Sequence, residues 1–286
     1  MIKMEDGYLY YPGCTLKTKA SDYEDSAMKV MEALGKPLVE MDDWYCCGAV
    51  QSLATDDIMH QIAPIRTMCC AQEQGEDTIV TLCDMCYNVL KQANERMKEN
   101  EDDLETMNEF LTEDPDYELG VEVYHILQIL SDMKDEIEKA IKEPLDGLKV
   151  ASYYGCMLLR PDIVAIDDGE DPSIMEDILE LTGVELIENE KRTECCGSYH
   201  TVNRSDIVEK RVEEIVSHAK DDGAEAIALS CPLCQFNLDF HQRATEFDLP
   251  VFYFTELLAL AMGLEPEMKK HKIDPKSLLE KKEIME

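Results

Sequence analysis

Tyr11-Pro12-Gly13-Cys14, Cys46-Cys47-Gly48 and Cys83-Asp84-Met85-Cys86 recur later in the chain as Tyr153-Tyr154-Gly155-Cys156, Cys195-Cys196-Gly197 and Cys231-Pro232-Leu233-Cys234. The gaps recur with them. In the first set 31 residues separate Cys14 from Cys46 and 35 separate Cys47 from Cys83; in the second the gaps are 38 and 34. Two sets of five cysteines in one order, with matching flanks, mark an internal duplication. The match extends outward: residues 78–82 stand before Cys83 as 226–230 stand before Cys231, and 123–130 resembles 251–258. The halves differ mainly by a polar, acidic stretch near 94–120, which reads as a surface insertion. The boundary is placed between residues 1–143 and 144–286, because the Pro and Gly of Glu143-Pro144-Leu145-Asp146-Gly147 break the helical pattern before them.

Short apolar runs at 8–11, 79–82, 150–154 and 227–229 lead into cysteines and read as buried strands. Helical patterns at 21–34, 58–74, 173–181 and 207–220 lie between them. That alternation predicts α/β layers built on largely parallel sheets. The Lys/Glu-rich tail from about 265 is expected to be partly loose. In parallel sheets, binding sites form beyond the carboxyl ends of the strands, so Cys14, Cys83, Cys156 and Cys231 are expected to meet at that edge. Each C-x-x-C is expected to open a helix, which puts its two thiols on one face near a dipole end that favours thiolate. Adjacent cysteines cannot point the same way in regular structure, so Cys46-Cys47 and Cys195-Cys196 belong in loops, turned by Gly48 and Gly197.

Composition narrows the chemistry. Among 286 residues, 27 basic side chains face 62 acidic ones, a net charge of −35. Such a chain lacks the cationic field that nucleic acid or an anionic membrane requires. Its best apolar stretch, 251–264, is interrupted by Thr255 and Glu256 and falls short of the roughly 20 residues that span a bilayer. No signal-peptide pattern opens it, so a cytoplasmic protein is expected. In a reducing compartment, twelve grouped cysteines point to metal or redox chemistry rather than disulfides. Zinc takes four ligands and would leave one cysteine of each five over. Thiolate-only ligation with a spare sulfur suits iron–sulfur chemistry, although no ferredoxin-type run is present. No G-x-G-x-x-G segment occurs, so electrons must arrive from another protein.

The pattern resembles the cysteine-rich CCG domain: a cysteine, a long gap, Cys-Cys, a second long gap and C-x-x-C. It stands here twice over nearly the whole chain, and the gap of 34 residues in the second copy is one short of the common spacing. A chain of two such domains looks like the B subunit of heterodisulfide reductase from methanogenic archaea. The resemblance implies two pseudo-symmetric, Rossmann-like CCG domains with parallel-sheet cores. It implies two noncubane 4Fe–4S clusters, one on Cys14, Cys46, Cys47, Cys83 and Cys86, the other on Cys156, Cys195, Cys196, Cys231 and Cys234. It implies an oxidoreductase of the dihydromethanophenazine- or ferredoxin-linked type. Such an enzyme reduces the coenzyme M–coenzyme B heterodisulfide to its two thiols, within a complex containing a flavin-bearing A subunit with a ferredoxin-like C subunit. An alternative is an electron-transfer CCG subunit of a succinate, fumarate, glycolate or lactate oxidoreductase, without its own substrate site. A non-catalytic zinc or disulfide scaffold is a third.

An anionic substrate would need a local basic lining. Lys17, Lys19, Arg160 and Arg204 follow the cysteines closely and are the candidates, each weighed against a plain solvated charge. His200, four residues after Cys196, is the candidate proton donor, weighed against a locally bonded helix-entry histidine. Trp44 and Tyr45 beside Cys46 read as a shield against water, and His125 as a core residue in a helical pattern. Cys69 and Cys70 have no counterpart in the second half and read as structural thiols.

Overall fold

Strands that are apolar on both faces must be covered on both faces, and parallel sheets flanked by helices provide that. The computed structural model describes residues 7–49 and 57–285. Among these, two four-stranded sheets are present, and every strand pairing in them is parallel. The first runs β2 (Leu38–Glu40), β1 (Tyr8–Tyr11), β3 (Thr78–Thr81) and β4 (Glu122–His125). The second runs β6 (Glu185–Ile187), β5 (Lys149–Tyr153), β7 (Ala226–Leu229) and β8 (Val251–Tyr253). The order is the same in both, so the duplication seen in the cysteines is a duplication of topology. The direction of winding reverses between the first and third strands of each sheet, and a crevice opens beyond their carboxyl ends. Cys14 and Cys83 follow β1 and β3; Cys156 and Cys231 follow β5 and β7.

The helical patterns appear as Ser21–Ala33, Ile174–Glu180 and Ser205–Asp221. The pattern at 58–74 divides into a 3₁₀ turn, Ile58–Gln61, and an α-helix, Ile62–Glu73. Pro64 is the reason: it has no N–H to return to the carbonyl of residue 60, so the two segments cannot share one hydrogen-bond ladder. His125 ends β4 rather than lying within a helix. Its Nδ1 accepts from the Leu127 N–H at 3.3 Å and caps the helix Ile126–Ser131, while Nε2 donates to the Leu82 carbonyl at 3.1 Å. The 94–120 stretch completes one helix (Asp84–Glu99), forms a second (Glu101–Phe110) and buries Met107, Leu111 and Tyr117.

The halves lock reciprocally. The helix after the last strand of each sheet packs on the helix after the first strand of the other: Phe254–Ala261 on Ser21–Ala33, and Ile126–Ser131 on Ile174–Glu180. At the first contact the Tyr23 and Tyr253 rings stack at 4.2 Å, and Ser26 Oγ lies 2.6 Å from Thr255 Oγ1. Apolar packing is continuous from one sheet to the other, so the two repeats share one core.

The tail differs from expectation. The Glu267 N–H donates to Asp25, the Lys270 N–H to Asp22, and the Lys272 and Ile273 N–H groups to Asp239. His271 is turned inward, 2.9 Å from Glu256 Oε1, with both side chains almost fully buried. Pro and charged residues made this stretch look unstructured, but its partners lie more than 200 residues earlier or across a helix, where no local pattern reports them. Burial works against a charged His271 ring, yet the Glu256 carboxylate more than offsets it and raises the pKa to about 9. A folded pKa above the ordinary value near 6.5 means a contribution that is complete below about pH 6.5 and lost as pH rises through about 9. The melting temperature should therefore fall by an extra ~2–4 °C for each kcal/mol lost between about pH 7 and 9.5. His271→Gln should remove that extra slope. Parallel pH profiles for the two proteins would contradict the anchor.

Candidate metal centre

Five thiols from three separate segments converge in each half. In the first, Cys46 Sγ lies 3.9 Å from Cys14 Sγ, and Cys47 Sγ lies 3.5 Å from Cys86 Sγ. In the second, Cys196 Sγ lies 3.4 Å from Cys234 Sγ, and Cys195 is hydrogen-bonded to Cys156. A disulfide requires about 2.0 Å between sulfurs. Two thiolates about 2.3 Å from one tetrahedral metal would instead sit roughly 3.8 Å apart. The twelve cysteines are all free, and the sulfur separations are too long for disulfides and short enough for the thiols to share metal.

The backbone makes room for these sulfurs. Gly13 has φ +64°, and a Cβ there would stand 2.9 Å from Cys86 Sγ; Gly155 has φ +67°, and its Cβ would stand 3.1 Å from Cys234 Sγ. A matched pair of tyrosines positions the Cys-Cys loops. Tyr11 Oη, at the end of β1, donates to the carbonyl of Tyr45 at 2.8 Å, and Tyr153 Oη, at the end of β5, donates to the carbonyl of Glu194 at 2.5 Å. Each carbonyl belongs to the residue just before a Cys-Cys pair. Sequence reading passed over both tyrosines because a strand-end Tyr is ordinary core; only the second half's repetition of the same residue hints at the role.

Crowded thiols share protons unequally. Hydrogen bonds from Cys46 and then Cys86 hold Cys47 down to about 4, despite its burial. Cys83 is held at about 6 by hydrogen bonds from Cys231 and Cys86, and Cys195 at about 6 chiefly by Cys156. Their donors Cys46, Cys86, Cys156 and Cys231 are pushed upward. Each half thus presents a thiolate whose neighbours could ionise only beside a cation, which is the condition for a metal–sulfur site. Backbone N–H groups also reach sulfur: Ala49 to Cys47 Sγ at 3.4 Å and Gly197 to Cys195 Sγ at 3.3 Å.

The two centres adjoin. Cys83 and Cys231 lie near enough across the junction of the halves for each to perturb the other's thiol. The next residue, Asp84, is fully buried, 3.3 Å from His125 Nε2, and accepts from Ser230 Oγ of the other half at 2.9 Å. Cys69 and Cys70 lie apart in the helix Ile62–Glu73, and burial pushes their thiols up to about 12 and about 11.

The other residues named from sequence are dispersed. Lys17 is held between Glu24 Oε1 at 2.7 Å and Glu40 Oε2 at 2.5 Å. Arg160 ties its own loop to the Thr193 and Gly169 carbonyls and to Glu170, and Arg204 pairs with Asp206 through two nitrogens. Lys19 alone of the four lines a cleft, of about 620 Å³, that also contains Cys14. His200 is exposed at the end of a 3₁₀ turn, beside the likewise exposed Tyr199. Cys156, Cys195 and Cys231 all raise the Tyr199 pKa after burial does, and its Oη lies 3.8 Å from Met157 Sδ. Trp44 packs edge-on against Tyr11 at 5.7 Å, and Arg66 lies over the Tyr45 ring at 4.3 Å.

The model of the CCG cysteine-rich domain matches this chain twice, over residues 8–91 and 150–239. The chain belongs to the CCG cysteine-rich domain family. Each match takes in one sheet's first three strands and one full set of five cysteines. The chain is 30% identical over 279 residues to a protein of Archaeoglobus profundus described as like the B subunit of heterodisulfide reductase, covering 91% of this chain and 92% of that one. It is 29% identical over 269 residues to the 8-methylmenaquinol:fumarate reductase membrane anchor subunit of Wolinella succinogenes, covering 91% and 94%. It is 27% identical over 270 residues to the B subunit of the Ferredoxin/F(420)H(2)-dependent CoB-CoM heterodisulfide reductase of Methanosarcina acetivorans, covering 90% and 89%. The fold recurs in a crystal structure of a hypothetical protein from Helicobacter pylori, with a TM-score of 0.74 and 12% identity, covering 94% of this chain and 51% of that one. By their names, the Wolinella and Methanosarcina proteins are subunits of reductases, and this chain shares the CCG family's two sets of clustered cysteines. Among the described residues no helix is long and apolar enough to cross a membrane.

Proposed function

We propose that this chain is the disulfide-cleaving subunit of a cytoplasmic reductase complex, acting on the coenzyme M–coenzyme B heterodisulfide. The observation that carries it is the gathering of a complete five-thiol set in each half, with Cys14–Cys46 at 3.9 Å and Cys47–Cys86 at 3.5 Å in one and Cys196–Cys234 at 3.4 Å in the other. Two like centres side by side suit a substrate made of two joined sulfurs. The reaction takes R–S–S–R′, two electrons and two protons to RSH and R′SH. Two noncubane 4Fe–4S clusters, when bound, supply one electron each and iron for the separating sulfurs. Cys14, Cys46, Cys47, Cys83 and Cys86 hold one; Cys156, Cys195, Cys196, Cys231 and Cys234 hold the other. Trp44 and Tyr45 limit water at the first. His200 supplies a proton to one departing sulfur. Lys19, which lines the same cleft as Cys14, contributes positive potential there, while Lys17, Arg160 and Arg204 are each held by acidic partners. Electrons enter from partner subunits, one ferredoxin-like (the C subunit) with one flavin-bearing (the A subunit).

The similarity to the Wolinella protein along 94% of its length favours a second reading, in which the chain passes electrons without a substrate of its own. One anaerobic experiment separates them: iron, sulfide and zinc content, then EPR of the oxidised protein with coenzyme M added. About eight iron and eight sulfide with a new signal on adding thiol supports the disulfide reductase. Full clusters that ignore the thiol support electron transfer, and zinc without iron overturns both.

A further inference from the structure

The cleft beside Cys14 is unlike the rest of the surface. Three lysines line it, Lys19, Lys270 and Lys272, in a chain whose acidic residues outnumber the basic ones 62 to 27. None of the three ammonium groups makes an ion pair among the described residues, whereas neighbouring Lys17 is held by two glutamates. The single carboxylate lining the cleft, Asp239, is occupied by the N–H groups of Lys272 at 2.6 Å and Ile273 at 2.9 Å. Leu233, Phe236 and Tyr253 supply an apolar wall. The tail strap explains how the charge arrives: with His271 turned inward onto Glu256, the lysines on either side of it reach the cleft.

The duplication supplies a control within the molecule. Counting from the C-x-x-C motifs, Tyr87 and Asn88 are the counterparts of Gln235 and Phe236. Asn88 Nδ2 donates to the carbonyls of Met157 at 2.7 Å and Arg160 at 2.8 Å, and Tyr87 Oη donates to that of Val164 at 2.9 Å. These bonds draw the segment after Cys156 down onto the opposing helix and fill the corresponding space. Phe236 can make no such bonds to the segment after Cys14, and there the gap stays open.

We infer that this cleft binds a small organic anion, a sulfonate, carboxylate or phosphate on a partly apolar stem, and delivers it to the first cysteine set only. The inference deepens the reductase reading and rests on it for the reaction beside the anion; the binding itself stands on the cleft. An asymmetric disulfide would thereby enter in one orientation, its more anionic arm toward Cys14.

The test uses the assembled, cluster-containing protein. Equilibrium dialysis compares 2-mercaptoethanesulfonate with neutral 2-mercaptoethanol, two thiols that differ in charge. The sulfonate should bind at least about tenfold more tightly, less so as salt rises. Lys19→Gln/Lys270→Gln/Lys272→Gln should lose most of that preference with iron content unchanged, while the three Lys→Arg replacements should retain it. Equal binding of both thiols by the unaltered protein, or an undiminished preference in the glutamine variant, overturns the cleft. Reduction of the heterodisulfide and of bis(2-hydroxyethyl) disulfide is measured on the same samples. A chain that reduces both but never prefers the anion overturns the cleft and leaves the reductase standing. A chain that prefers the anion but reduces neither supports the cleft and overturns the reductase.

Discussion

Cys46→Ser is expected to reduce bound iron from about eight atoms per chain to about four and to abolish heterodisulfide reduction. Cys195→Ser should do the same through the other centre. Cys46 lies 3.9 Å from Cys14, and Cys195 interacts with the free thiol of Cys156, so each replacement weakens one five-thiol set and leaves the other intact. Serine keeps the side-chain size but is a poor ligand for iron that favours thiolate. EPR of the two single variants should then show complementary losses. Cys70→Ala is the control: that thiol lies in the helix Ile62–Glu73, away from both sets, and its loss should leave iron unchanged. Full iron and full turnover in Cys46→Ser would show that the ligand set is wrong.

Gly13→Ala should be nearly as damaging as loss of a ligand, and more damaging than Gly155→Ala. Two costs combine at residue 13. Its φ of +64° is unfavourable for any residue with a Cβ, by roughly 1–2 kcal/mol. The added methyl would also stand 2.9 Å from Cys86 Sγ and 3.3 Å from the Tyr11 ring, so the sulfur must move. Gly155 carries the same backbone cost, but the sulfur contact is 3.1 Å, so Cys234 need give only a few tenths of an ångström. Gly35→Ala separates the two terms. Its φ is +72° with nothing within 4 Å of the new methyl, so it should lower the melting temperature without lowering iron. If Gly35→Ala and Gly13→Ala lose iron equally, the sulfur contact is not what the glycine protects.

Much of this site was legible beforehand because its signals are local or periodic. Strand runs, helix patterns and cysteine spacings each lie within a short window, and the duplication lets every one be read twice. The polar residues were harder. Lys17 looked available because nothing near it in sequence shows that Glu24 and Glu40 close on it. Lys270 and Lys272 drew no notice because they are far in sequence from any cysteine, and only the strap anchored by His271 brings them to Cys14. Tyr199 was overshadowed by the titratable His200 beside it, though it is the tyrosine that feels Cys156, Cys195 and Cys231.

The division follows the range of the forces involved. The amino-acid sequence by itself determined two α/β repeats, parallel sheets and two sets of five thiols at strand ends, since backbone periodicity and turn chemistry act over a few residues. Tertiary structure alone decided that Cys83 meets Cys231, that Asn88 closes one side while Phe236 leaves the other open, and that the tail carries two lysines to the first set. Those contacts join residues about 70 to 260 positions apart, and they depend on how the two repeats pack, which the pattern within either repeat does not encode.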